Sequence, residues 1–286
     1  MRPPGSPGFQ KGKDVPRAAM ARGLLNAWNR LLNAALLVVL AVMGAYAGFA
    51  LWDNQQIYAT ASNVQAELLS MKPVSQETGS TFDSLRALNP DVQAWLTMDE
   101  TAIDYPVLYG TNNFAYLNTD VYGNFSLSGS IFLDSRNDPT FADAYNLVHG
   151  HHMANRLMFG DLDLYKDPAF FEENRTGTLI LPDRSYSLRT FACMVVSASD
   201  EVIFAPDRWG DDIDGLLVYA RDHALHADDA QIERLREESR AAGSQGSRPQ
   251  IIALATCSSE YSDARTILLA EMTDFVPVDD REDEEP

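Results

Sequence analysis

Cysteine is almost missing from this chain. Only Cys193 and Cys257 occur among 286 residues, too few for a disulfide-stapled scaffold or a Cys-rich zinc module. Basic residues are scarce beside acidic ones: 22 Lys and Arg against 41 Asp and Glu give a net charge of −19. That balance argues against a nucleic-acid partner, because phosphate binding needs a concentrated basic face. Histidine is limited to five residues, and neither CxxC nor HExxH occurs, so the usual metal-ligand spacings are not encoded. Apolar residues are not scarce. They make up 45% of the chain, enough for a real core and against global disorder.

Long apolar runs are lacking, with one exception. Residues 31–52 carry no charge and are interrupted only by Asn33; at roughly 1.5 Å per helical residue they can cross a hydrocarbon core. Arg2, Lys11, Lys13, Arg17, Arg22 and Arg30 precede the run against the single acid Asp14, which predicts an N-terminus inside and everything beyond Trp52 outside. Ala45-Tyr46-Ala47 resembles a signal-peptide cleavage site. The long basic leader and the continuation of the run to Trp52 favour a retained anchor. The expected organisation is then a basic cytoplasmic segment over 1–30, disordered through residue 22, and a transmembrane helix over 31–52. A helical stalk or packing helix follows over 53–80, then a catalytic domain over 81–276 and a solvated acidic tail over 277–286.

Beyond residue 92 the chain turns to short strands punctuated by Gly, Asn, Asp and Pro, the pattern of a closed all-β domain. Strands are predicted over 95–97, 105–109, 129–133, 146–149, 177–181, 185–197, 251–256 and 266–272. A short helix is expected over 81–89, entered through Thr81 or Asp83. Helical turns are expected over 158–163 and 168–174, and a helical insertion over 211–242. The class is mainly β with peripheral helices.

Two stretches carry chemistry. Ile251–Ala255 and Thr266–Ala270 read as buried strands joined by a polar segment too short for a helical crossover. Cys257 and Arg265 therefore fall on one rim of a sheet, a thiol beside a fixed positive charge. Leu147-Val-His149-Gly-His151-His152-Met153 also follows a strand and supplies imidazole, so thiol, base and oxyanion partner are all available. The plainer alternatives are a core thiol and a surface Arg, or a metal-binding His cluster that recruits His223 and His226. Residue types alone leave the choice among His149, His151 and His152 open. Cys193, inside the apolar run 191–196, reads as inert and buried, Met153, Met158 and Phe159 as core or groove wall, and Asp134, Asp161 and Asp163 as surface acids.

Taken together, Ala253-Leu-Ala-Thr-Cys257, Arg265, Gly150-His151-His152-Met153, Ile103-Asp-Tyr-Pro-Val-Leu, Tyr116-Leu-Asn and Gly129-Ser-Ile-Phe-Leu-Asp134 resemble the class B sortases, in order from about Phe82 to Met272. The resemblance implies an eight-stranded sortase-type β-barrel with a helix inserted before the Cys strand. It assigns Cys257 as nucleophile, His151 as base and Arg265 as oxyanion partner, with no cofactor and no metal. His149 and His152 depart from the family, which often has an aromatic residue at the first position and usually Asn at the second. The implied activity is a membrane-anchored cysteine transpeptidase that cleaves a C-terminal sorting signal of secreted proteins. It would then pass the acyl group to an amine on a peptidoglycan precursor. A pilin lysine as acceptor, or water in a plain thiol peptidase, are the alternatives. A non-enzymatic β-domain with a structural Cys257 is the remaining one.

Overall fold

The computed structural model describes residues 15–73, 78–210, 213–242, 248–257 and 263–274. The leader before Val15, the 258–262 connection and the acidic tail lie outside these residues, as does the Cys257 side chain. The chain divides into two units, Met1–Gln56 and Ile57–Pro286.

Helix α1 (Val15–Leu69) begins in the first unit. Its start corrects the expectation of disorder through residue 22. Ala, Met, Arg and Leu between residues 18 and 25 are strong helix formers, so the helix runs back through its own basic flank. It contains an 18-residue window of mean hydropathy 2.3, none of it buried within the protein. This is one helix long and apolar enough to cross a membrane.

Among the described residues the second unit has nine strands: β1 (Val92–Met98), β2 (Asp104–Tyr109), β3 (Ile131–Leu133), β4 (Tyr145–His149), β5 (Thr176–Ile180), β6 (Ser185–Ser197), β7 (His226–Ala227), β8 (Gln250–Cys257) and β9 (Ala264–Asp274). Their order is β5-β1-β2-β3-β4-β8-β9-β6-β7, and β6 also pairs with β5. Eight strands thus close into a barrel, which removes the exposed edges, and β7 lies against β6 as an addition. The β2–β3 and β4–β8 pairs are parallel; the other pairs are antiparallel.

Alternation along the strands sorts the core. Leu96, Val107, Ile131, Val148, Leu179, Leu188, Ile252, Leu254 and Leu268 meet inside the barrel. Ile251, Ala253, Ala255, Ile267 and Leu269 point outward under helices α4 (Asp214–His223) and α5 (Asp229–Ala242). This double coverage explains why β8 reads as an unbroken apolar run rather than an alternating one. The expected helical insertion over 211–242 is therefore two helices separated by β7, whose two residues are too few to show any period. Helix α2 (Thr78–Leu88) starts three residues before the expected position and stops ahead of Asn89-Pro90. It joins α1 residues in a third cluster, where Leu68, Phe82 and Leu85 pack on Trp95 and Phe132. Residues 160–166 form a 3-10 turn, and α3 (Pro168–Glu173) is capped by the Asp167 carboxylate.

Cys193 is buried in β6 opposite Leu268, which in turn faces Leu254. Cys257 lies three residues further along β8 and two strands away, at about 3.3 Å per residue and 4.8 Å per strand. The two Cα atoms are then well beyond disulfide reach of about 7 Å.

Candidate active site

The end of β8 sets the site. Antiparallel pairing puts Cys257 directly opposite Arg265 on β9. Parallel pairing on the other side aligns His149 with Ala255, and the Gly150 N–H donates to the Ala255 carbonyl at 3.1 Å. The ladder stops there, two residues short of both His151 and Cys257. His151 and Arg265 line one groove of about 280 Å³ together with Asn113, Phe114, Leu117, Phe132, His149, Phe204 and Thr256. Phe114, at the rim, is 80% exposed.

β4 ends at His149, so His151 stands on irregular backbone that other contacts fix. Its carbonyl accepts from the Phe159 N–H at 3.0 Å. Gly150 is required beside it: a Cβ there would sit 2.5 Å from Ile131 Cδ1 and 2.7 Å from the Phe159 ring. The His151 Nε2–H donates to the Leu117 carbonyl at 2.6 Å. A carbonyl can only accept, so the proton of a neutral ring is on Nε2 and Nδ1 is the free base. Gly129, with φ +56°, abuts that same carbonyl, and a Cβ at 129 would lie 2.4 Å from the Leu117 oxygen. The Arg265 guanidinium donates to the Ala264 carbonyl at 2.9 Å and is half-buried.

Asp134, expected as a surface acid, is fully buried. Its carboxylate accepts from Arg136 Nε and Nη2 at 2.8 Å each, from Asn113 Nδ2 at 2.8 Å and from His149 Nε2 at 3.0 Å. Burial alone would raise its pKa, but the Arg136 and His149 hydrogen bonds outweigh burial and hold the carboxyl well below the usual range. The His149 ring is tilted over Phe132 and stacked on Phe204. Asp161 is also buried, accepting from the Ala102 N–H at 2.7 Å and from Arg156. In both cases the charged partner makes burial affordable.

His152 turns away and pairs with Asp163 at 2.8 Å, which Lys166 also holds at 2.7 Å. His223 stacks on Tyr219 and donates to its carbonyl, and His226 bonds the Lys166 carbonyl. The five imidazoles thus go to five different partners. Among the described residues no three His, Cys, Asp or Glu side chains are grouped to hold a metal ion. Residue-type reasoning placed Asp134 on the surface and gave Leu117 and Gly129, quoted only as parts of family-like segments, no role. A local signal for the Asp134 pairing was an acid followed two residues on by Arg136, at the end of a wholly apolar strand.

No family model matches the chain. A crystal structure of a class B sortase of Streptococcus pyogenes involved in pilus biogenesis is 32% identical, with a TM-score of 0.58 over 68% of this chain and 98% of that one. The chain belongs to the class B sortases. A sortase B from the type II pilus of Streptococcus pneumoniae is 30% identical, with a TM-score of 0.53 over 68% of this chain and 99% of that one. A protein named Sortase B from Listeria monocytogenes is 27% identical over 240 residues, 81% of this chain and 92% of its own length. As a sortase the chain is a cysteine transpeptidase, and its closed barrel is the sortase B fold.

Proposed function

We propose that Cys257, His151 and Arg265 carry a transpeptidation in which a sorting signal of a secreted protein is cleaved and its acyl group passed to an amine. The observation that carries this reading is the junction of β4, β8 and β9, where Cys257 faces Arg265 in register and His151 and Arg265 share one groove. The thiol proton passes to His151 Nδ1, and the thiolate adds to the scissile carbonyl. Arg265 offers forked donors that cannot lose their charge to the oxygen that becomes negative. Collapse breaks the C–N bond as Nδ1–H protonates the leaving amine, leaving a thioester. The acceptor amine, losing a proton to Nδ1, then forms the new amide and releases the thiol. No cofactor or metal enters any step.

The acceptor of the primary reading is an amine of a peptidoglycan precursor, so that surface proteins become wall-attached. Pilin polymerisation, with a lysine as acceptor, is favoured by one observation: the neighbours at 32% and 30% identity are pilus sortases by name. The apolar stretch of α1 supports a single-pass anchor, with the basic leader inside and the domain from residue 81 outside.

The deciding experiment incubates the full chain in detergent with candidate sorting peptides, with or without a wall-type peptide amine or a lysine-bearing pilin. A trapped thioacyl adduct on Cys257, lost in Cys257→Ala and nearly lost in His151→Ala, is the expected result. Retained cleavage in a folded Cys257→Ala protein would sink the nucleophile assignment. Product formed only with water would replace transfer by hydrolysis. Protease treatment of intact protoplasts tests the anchor: the domain should be removed, and full protection overturns the topology.

A further inference from the structure

We propose that Asp134 is a positioning residue of this active site: its buried carboxylate fixes the loop whose Leu117 carbonyl orients the His151 imidazole. This rests on the catalytic role of His151 proposed above.

Three separate segments that wall the groove end on this one carboxylate. The loop between β2 and β3 reaches it through Asn113, whose Nδ2 donates to Oδ2 at 2.8 Å while its Oδ1 accepts from the Ser135 N–H at 2.7 Å. Four residues further along that loop is Leu117, which holds the His151 Nε2–H at 2.6 Å. The end of β4 reaches Asp134 through His149 at 3.0 Å. The loop after β6 reaches it through Arg136, which grips both carboxylate oxygens and donates through Nη2 to the Phe204 carbonyl at 2.8 Å. Phe204 then stacks on His149 with an interplanar angle of 13°. The Tyr109 hydroxyl, bonded to the Ser135 carbonyl at 3.0 Å, ties the end of β2 to the same knot.

The donor arithmetic requires a carboxylate. Oδ1 accepts from the Arg136 N–H and Nε, while Oδ2 accepts from Asn113, Arg136 Nη2 and His149. An amide has one oxygen with two lone pairs and two N–H groups, so Asn at 134 would turn donors against donors on one side whichever way it flipped. Other buried carboxylates lack this reach. Asp161 and Glu271 are each clamped by an Arg, Asp120 accepts from the Tyr122 and Asn124 N–H groups of its own turn, and none of the three lines the groove. A base displaced by as little as 1 Å can lose about 100-fold in rate, so fixing the loop is a kinetic as well as a structural contribution.

The test compares wild type, Asp134→Asn and Asn113→Ala by the 15N signals of the His151 imidazole and by single-turnover acylation at saturating peptide. Asn113 is half-exposed in a loop, so its variant reports even where Asp134→Asn does not fold. The expected result is a single Nε2–H tautomer in wild type and a tautomer mixture in both variants, with acylation slowed roughly 10- to 100-fold. Folded variants with a lower Tm, wild-type His151 signals and acylation within twofold of wild type would overturn the proposal and leave Asp134 a stabilising residue. If wild type itself forms no thioacyl adduct, the transpeptidase mechanism fails, and the tautomer comparison still decides whether Asp134 positions His151.

Discussion

Two histidine–carboxylate pairs flank the candidate site, and they differ in almost everything except distance. His149–Asp134 spans 3.0 Å and His152–Asp163 spans 2.8 Å. The Asp134 side chain is fully shielded, whereas those of His152 and Asp163 are 33% and 35% exposed. Water screens the second pair and can replace either partner, so its expected contribution is that of a surface ion pair. The first pair has no such substitute. Removing the carboxylate takes the one fully buried acceptor from the Asn113, Arg136 and His149 donors, and although His149 is 22% exposed the inward-turned donors are left as unpaired buried groups. Equal geometry is therefore a poor guide to energy, and burial decides.

The strongest way to break the comparison is to delete the two carboxylates in turn. Asp134→Ala should cost about 3 kcal/mol, the lower end for a broken buried pair, because the Arg136 side chain is 41% exposed and can rehydrate. Asp163→Ala should cost about 0.2–1 kcal/mol. Urea unfolding of both variants checks the ratio, and equal losses would remove burial as the explanation.

Acid sharpens the same contrast. The Asp134 carboxyl is depressed because Arg136 and His149 hydrogen bonds overcome its burial. A group whose folded pKa is lowered contributes stability above its unfolded pKa of about 3.9 and loses it as pH falls through the folded value. The stability gap between wild type and Asp134→Asn should then be full at neutral pH and shrink progressively as pH falls below about 4, towards the lower folded value. A gap independent of pH down to 2 would mean that the charge is not what stabilises. For Asp163, burial is outweighed by Lys166 and His152 hydrogen bonds, so its gap has the same sign and a smaller size.

A steric probe gives a smaller stability effect. Gly129→Ala places a methyl against the Leu117 carbonyl at positive φ, which should cost about 1–2 kcal/mol and slow acylation by displacing the His151 acceptor. Normal acylation in that variant would detach Leu117 from the base. The least effect belongs to His152→Gln, with acylation within a few-fold of wild type and a Tm shift of a degree or two; loss of turnover there would move the base assignment off His151.

Regular elements were the legible part. All eight barrel strands coincide with the apolar segments read from the chain, because alternation and turn residues are local properties. The adjacency of the Cys and Arg strands was legible too, since a short polar connection leaves few topologies. What stayed illegible depends on contacts distant in sequence. Asp134 sits in a turn-like Leu-Asp-Ser-Arg-Asn stretch, and its burial follows from Asn113 and His149 at unrelated positions. The Leu117 carbonyl is a backbone atom with no residue-type signature. β7 escaped because two residues carry no period.

The parallel pairing of β4 with β8 joins strands about a hundred residues apart in the chain. Parallel pairing of that separation forms late, since a large loop-closure entropy precedes any reward from contacts. The strand ends that carry the proposed base, His151, and the proposed nucleophile, Cys257, are consequently brought side by side only when the barrel shuts. The proposed reactivity would then belong to the finished fold and to no segment of it.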